Sequence, residues 1–143
     1  KEGHSAIVST TGNEDCHVIL RGGKQPNYDA ASVDETCKEL ASAGLAPRVM
    51  IDCSHANCRK QFKLQIEVAR DVTAQLAAGD ERIIGLMVES HLVEGRQDLE
   101  NGHELEFGKS ITDPCLGWQD SVELLEMLAE GVRARRRAVT DAE

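Results

Sequence analysis

The sequence predicts an α/β fold built on a parallel sheet. Three observations carry that expectation. Three short apolar runs, "CHVIL" (16–20), "VMIDC" (49–53) and "IIGLMV" (83–88), lack the alternation of a half-exposed antiparallel strand. Continuous runs of this kind suit parallel strands covered on both faces. Segments with apolar residues at helical spacing lie between them, so the order is strand, helix, strand, helix, strand, long loop, helix. That alternation is the mark of βαβ units.

Each helix has its own signals. "AASVDETCKELASAG" opens on Asp29 or Ser32 as a cap, places Val33, Cys37 and Leu40 on one face, and closes on Gly44. "RKQFKLQIEVARDVTAQLAAG" predicts a longer helix, with Phe62, Ile66, Ala69, Val72 and Leu76 as its stripe and Gly79 as its end. "WQDSVELLEMLAEGVRARRR" predicts the last helix, capped by Asp120 or Ser121, with Leu124, Leu125, Leu128 and Val132 facing inward. Its basic last turn suits the helix macrodipole. The stretch from Glu89 to Gly117 is long for a βα loop, and loops of that length are usually functional or disordered.

Composition narrows the function classes. The 143 residues suffice for one domain with a real core, and 41% hydrophobic with 29% charged content is that of a globular chain. A net charge of -9 argues against a general nucleic-acid surface but leaves room for a basic pocket. The apolar runs are too short to span a bilayer. Five cysteines without a CxxC pair fit a reducing cytoplasm. The opening "KEGHSAIV" reads as the interior of a larger protein.

In α/β folds the active site sits at the carboxyl ends of the parallel strands. Each predicted strand here ends in chemically loaded residues. "RGGK" (21–24) places Arg21 before two glycines, whose amides can approach an anion while the guanidinium supplies a donor fork. His55 and Glu89 follow the second and third strands and form a candidate metal pair, to which Asp113 of "SITDPC" can return from the long loop. A nitrogen with two carboxylates suits a borderline or hard divalent ion. Taken singly, each of these residues also reads as an ordinary loop residue. Asp52, inside its strand, needs a partner: a Lys, an Arg, or a metal ligand that it orients. Cys53, Cys58 and Cys115 read as small structural residues.

Taken together, "CHVILRGG", "MIDCSHANCRKQ", "GLMVESHLVEG" and "GKSITDPCLGW" occur in this order and with these gaps. The set resembles the type I 3-deoxy-D-arabino-heptulosonate 7-phosphate (DAHP) synthases, also called phospho-2-dehydro-3-deoxyheptonate aldolases. The resemblance runs from "GHSAIVSTTGN" to the final helix. It implies a (β/α)8 TIM barrel holding a divalent metal ion (Mn²⁺, Fe²⁺, Co²⁺ or Zn²⁺). It implies condensation of phosphoenolpyruvate with erythrose 4-phosphate, with release of phosphate, at the entry to the shikimate pathway in the cytoplasm. His55, Glu89 and Asp113 look like the family's histidine, glutamate and aspartate metal ligands. Arg21 looks like an arginine that binds phosphoenolpyruvate at its phosphate. A catalytic role for His55 in proton transfer ranks lower, because a metal-bound imidazole is a poor base.

A (β/α)8 barrel needs roughly 250 residues. Residues 1–143 are therefore expected to be the C-terminal portion of one catalytic barrel domain, three to four βα units, with Lys1 the tail of an earlier strand. The family's fourth ligand, a cysteine, and further basic substrate-binding residues lie in the N-terminal portion. The chain alone is expected to lack a complete site, and its exposed sheet edges to meet that missing portion or a second copy in a homo-oligomer. Two other readings stand beside this one: a non-catalytic metal- or anion-binding assembly module, and a related phosphoenolpyruvate-dependent sugar-acid synthase.

Overall fold

The computed structural model describes residues 3, 5–13, 15–99 and 104–140. Lys1, read as the tail of a strand, lies outside them. The element order is β1 (Val18–Leu20), α1 (Ala30–Ser42), β2 (Val49–Asp52), a 3-10 turn (Phe62–Leu64), α2 (Gln65–Ala77), β3 (Ile83–Met87), β4 (Val93–Arg96), β5 (Lys109–Ser110) and α3 (Trp118–Thr140). Strands β1, β2 and β3 form one parallel sheet in sequential order. Val18, Ile19 and Leu20 pair with Val49, Met50 and Ile51. Val49 pairs with Ile83, and after one irregularity Met50, Ile51 and Asp52 pair with Gly85, Leu86 and Met87.

Helix α1 starts where Asp29 accepts the amides of Ala31 and Ser32, both at 3.1 Å, together with the Ser32 hydroxyl at 2.8 Å. Asp29, not Ser32, is the cap. Its far end closes through Gly44 at φ 73°, with Leu45 N donating to Leu40 O and Gly44 N to Ala41 O. Helix α2 is shorter than its apolar pattern suggests. Arg59 and Lys60 hold φ of 52° and 59°, outside the right-handed helical region, so the helix cannot begin there. Its buried residues are Gln65, Val68, Ala69, Val72, Gln75 and Leu76, while Phe62 and Ile66 pack at the core margin.

Helix α3 runs along α2, and Gly131 makes the close approach: a Cβ there would stand 2.8 Å from Thr73 Cγ2. Leu124 is buried, but Leu125 is exposed, contrary to the expected inward set. Neither Asp120 nor Ser121 caps the helix; both lie inside its first turn, and Asp120 accepts from Lys63 at 2.7 Å. Lys63 also pairs with Glu94, tying the 3-10 turn to β4 and α3.

One core joins Leu20, Val49, Ile51 and Ile83 of the sheet to Val33 and Cys37 of α1 and to the buried face of α2. The opposite sheet face differs from the expected double cover. Ile19 and Ile84 are 48% and 49% exposed, because among the described residues nothing packs on that side. The segment from Glu89 to Gly117 also departs from an irregular loop. It carries the parallel pair β4–β5, and Gly95 exchanges backbone hydrogen bonds with Cys115. The described part of this segment is therefore anchored backbone.

Candidate functional site

The site begins where β2 runs out. Asp52, 3% exposed, accepts the Ser54 amide at 2.8 Å, the Ser54 hydroxyl at 2.7 Å and His55 Nδ1 at 2.7 Å. Three donors satisfy the buried carboxylate, which answers why the strand can carry it. A carboxylate only accepts, so Nδ1 bears a proton, and in the neutral ring Nε2 is the nitrogen with the lone pair. His55 sits at φ 51°, a left-handed conformation that the following turn enforces through Lys60 N on His55 O at 3.1 Å. This hydrogen-bond pattern holds the ring from behind and leaves Nε2 as the nitrogen that could ligate a metal.

Glu89 is positioned by a residue that apolar periodicity does not reveal. The β2–β3 ladder ends with Cys53 N on Met87 O at 2.8 Å. Beyond it, Gln65, fully buried, takes over the backbone contacts: its amide oxygen accepts Glu89 N at 2.8 Å and its nitrogen donates to Glu89 O at 3.1 Å. Burial raises the Glu89 carboxyl above its ordinary 4.5, the negative charge of Asp113 adds to that, and His55 works against it. The three groups therefore sense one another. Asp113 itself is exposed, in the bend after β5.

Arg21 follows β1 and is exposed, with no ion pair among the described residues. The glycines after it do not act as expected. Gly22 N donates to Asn27 Oδ1 at 2.7 Å and Gly23 N to Gln25 O at 3.0 Å, so both amides serve the loop's own turn. Gly22 is needed for another reason: it holds φ 76°, and a Cβ would lie 2.7 Å from that of Ala56.

Arg21, His55, Glu89 and Asp113 all line one cleft of about 680 Å³ at the carboxyl ends of the strands. Lys60 and Cys58 share it. Lys60 was hidden in the sequence because "RKQFKLQ" reads as helix; the left-handed turn brings it to the rim instead. Burial pushes the Cys58 thiol up, and the Cys53 thiol up to about 12, which suits inert structural residues. The donors available, one imidazole nitrogen and two carboxylates, are of the kind a divalent ion takes. Among the described residues, no three His, Cys, Asp or Glu side chains are gathered closely enough to enclose one. The donor types fit; the set is open on one side.

Comparison with known proteins identifies the family. A family model described as "DAHP synthetase I family" matches residues 1–126. The Phe-sensitive phospho-2-dehydro-3-deoxyheptonate aldolase of Escherichia coli K12 is 61% identical over 136 residues, covering 95% of this chain and 39% of the relative. The phospho-2-dehydro-3-deoxyheptonate aldolase of Haemophilus influenzae is 56% identical over 142 residues, with 99% and 39% covered. The solved structure of the aldolase of that name from Francisella tularensis SCHU S4 superposes with a TM-score of 0.84 at 44% identity, covering 91% of this chain and 38% of that one. The chain thus spans about two fifths of the length of the curated relatives it matches. With a matching family model over most of its length and relatives 56% and 61% identical across nearly all of it, the chain belongs to the DAHP synthetase I family.

Proposed function

We propose that this chain forms one wall of the active site of a synthase that condenses phosphoenolpyruvate with erythrose 4-phosphate to give DAHP and phosphate, the first step of the shikimate pathway. The observation that carries the reading is the convergence of Arg21, His55, Glu89 and Asp113 on a single cleft. They come from separate stretches of chain, and each lies in a motif that resembles the family's.

Arg21 is the substrate-binding residue. Its guanidinium neutralises and orients the phosphate of phosphoenolpyruvate, and Lys60 adds a second positive charge at the rim. His55, Glu89 and Asp113 hold a divalent ion, with Mn²⁺, Fe²⁺, Co²⁺ and Zn²⁺ as candidates. When bound, that ion supplies Lewis acidity and charge neutralisation at the aldehyde oxygen or at the attacking water. His55 is engaged on its Nδ1 side by Asp52, which leaves Nε2 as the nitrogen that would face the ion. Its role is to hold, not to move a proton.

Residues 1–143 would make up part of a single (β/α)8 barrel domain. The uncovered face of β1–β3 becomes the barrel interior, closed by the remaining three fifths of a family polypeptide, which also supplies the missing ligand and the other basic residues. Self-association into a homo-oligomer is a separate expectation of this reading. No described helix is long and apolar enough to cross a membrane, and the reaction belongs in the cytoplasm. The open donor set favours a second reading for the chain alone: a metal- or anion-binding module without turnover.

The test is DAHP formation from phosphoenolpyruvate, erythrose 4-phosphate and Mn²⁺. It is run with the chain alone and with the chain joined to the rest of a family sequence. Turnover only in the joined form, abolished by chelator and by His55→Ala, is the expected outcome. Turnover by the chain alone would overturn the claim of an incomplete site. None in the joined form would leave the assembly reading.

A further inference from the structure

Arg21 is bracketed by two asparagines that belong to different loops. The carbonyl before it, Leu20 O, accepts from Asn57 Nδ2 at 3.0 Å. The amide after it, Gly22 N, donates to Asn27 Oδ1 at 2.7 Å. The two asparagines are themselves joined, Asn27 N donating to Asn57 Oδ1 at 2.9 Å. Asn57, 3% exposed, spends its second donor on Asp52 O at 2.8 Å. One buried side chain thus fastens the end of β1, the end of β2 and the loop from 21 to 27. Gly22 lies so close beneath that its missing Cβ would stand 2.9 Å from Asn57 N.

The bracket contrasts with what it holds. The Arg21 side chain has no ion pair among the described residues, and it is flexible, so ordering it on an anion costs side-chain entropy. A fixed backbone on both sides limits that cost to the side chain itself, which is how preorganisation raises affinity. The Asn27 bond touches only the residue after Arg21. It reaches neither His55, Glu89 nor Asp113.

We propose that Asn27, held in place by Asn57, is a positioning residue for Arg21 and sets the affinity of the cleft for the phosphate-bearing substrate. The proposal rests on the reading of Arg21 as the phosphoenolpyruvate-binding arginine. Its consequence is selective: anion affinity depends on Asn27, and cation affinity does not.

The experiment measures phosphoenolpyruvate binding by titration calorimetry, and Mn²⁺ binding by electron paramagnetic resonance, on the full-length enzyme carrying this chain. The proteins are the parent, Asn27→Ala, Arg21→Ala and the double variant. Asn27→Ala is expected to weaken phosphoenolpyruvate roughly tenfold, about the worth of one positioned hydrogen bond. Mn²⁺ affinity stays unchanged, and the Asn27 effect disappears in the Arg21→Ala background. Parent-like phosphoenolpyruvate affinity in Asn27→Ala, with Arg21→Ala impaired, overturns the positioning role and leaves the Arg21 assignment standing. Equal losses for both ligands also overturn it, because they mean general loosening. Parent-like binding by Arg21→Ala removes the reading of Arg21 and the proposal with it. If Asn27→Ala does not fold, Asn27→Ser, with a shorter acceptor, is judged by the same selective loss.

Discussion

Gln65 offers the sharpest stability prediction. It is fully buried, opens α2 and clasps the backbone of Glu89 at both its amide and its carbonyl. The two bonds are not equivalent. Glu89 O has a second donor, Leu116 N at 2.9 Å, whereas Glu89 N has no acceptor besides Gln65 Oε1 among the described residues. Gln65→Met keeps the volume and removes the acceptor. It strands one part-buried amide, at a cost of up to about 1–3 kcal/mol. Gln65→Ala strands the same amide and also empties space in a packed core, and truncations of buried side chains of this size cost about 2–5 kcal/mol. Either figure is a large share of a total that is typically about 5–15 kcal/mol. The assay is urea unfolding of the full-length protein carrying this chain, followed by circular dichroism. Because m rises with chain length above the about 1–3 kcal/mol/M of small proteins, the Met variant's midpoint falls by less than about 1 M. A Met midpoint equal to the parent's would refute the argument, since it would mean the clasp carries no weight. Equal losses for Met and Ala would refute the cavity component alone.

Three further outcomes are expected. Arg82 beside Asp80, 2.8 Å away, holds that carboxyl below its ordinary 3.8. A depressed folded value means stability is present above pH 3.8 and lost as pH falls through the folded value, so Asp80→Asn flattens the acid limb of a stability–pH curve. An unchanged limb would show that the pair does not report on folding. Gly131→Ala gains up to about 1 kcal/mol of helix propensity but drives a Cβ against Thr73, and overpacking costs about 1–3 kcal/mol, so thermal unfolding should show net loss. A raised melting temperature would mean that α3 shifts away at no cost. Cys53, buried with its thiol pushed up to about 12, should resist a thiol reagent in the native state and react only on unfolding. Mass mapping after a timed pulse checks this.

Much was legible in the sequence because each feature is local. Periodicity and Gly44 mark the limits of α1 within a few residues, since capping and apolar spacing act within a turn or two. Continuous apolar runs identify the three parallel strands, whose order follows from short βαβ connections. Strand ends in this class of fold point to one rim, so Arg21, His55 and Glu89, with Asp113 returning from the long loop, could be expected on the one cleft that they line.

The remainder depended on contacts between distant parts of the chain. The apolar stripe extends α2 too far because Phe62 fits it, while the left-handed turn at Arg59 and Lys60 is set by the loop's hydrogen bonds. Leu125 fits the inward face of α3 by spacing, yet α2 covers a narrower stripe and leaves it exposed. The exposed face of β1–β3 could not be read from apolar runs, since hydrophobicity alone does not say what covers a side chain. Gln65, Asn27 and Asn57 look like ordinary polar residues in a sequence. Only the tertiary structure shows which buried backbone groups they satisfy, because a hydrogen bond across 24 or 37 residues leaves no periodic trace. The sequence by itself determined the chemistry that could gather at the strand ends. The tertiary structure decided what holds each group there: a ring steadied by Asp52, a backbone clasped by Gln65 and an arginine bracketed by two asparagines.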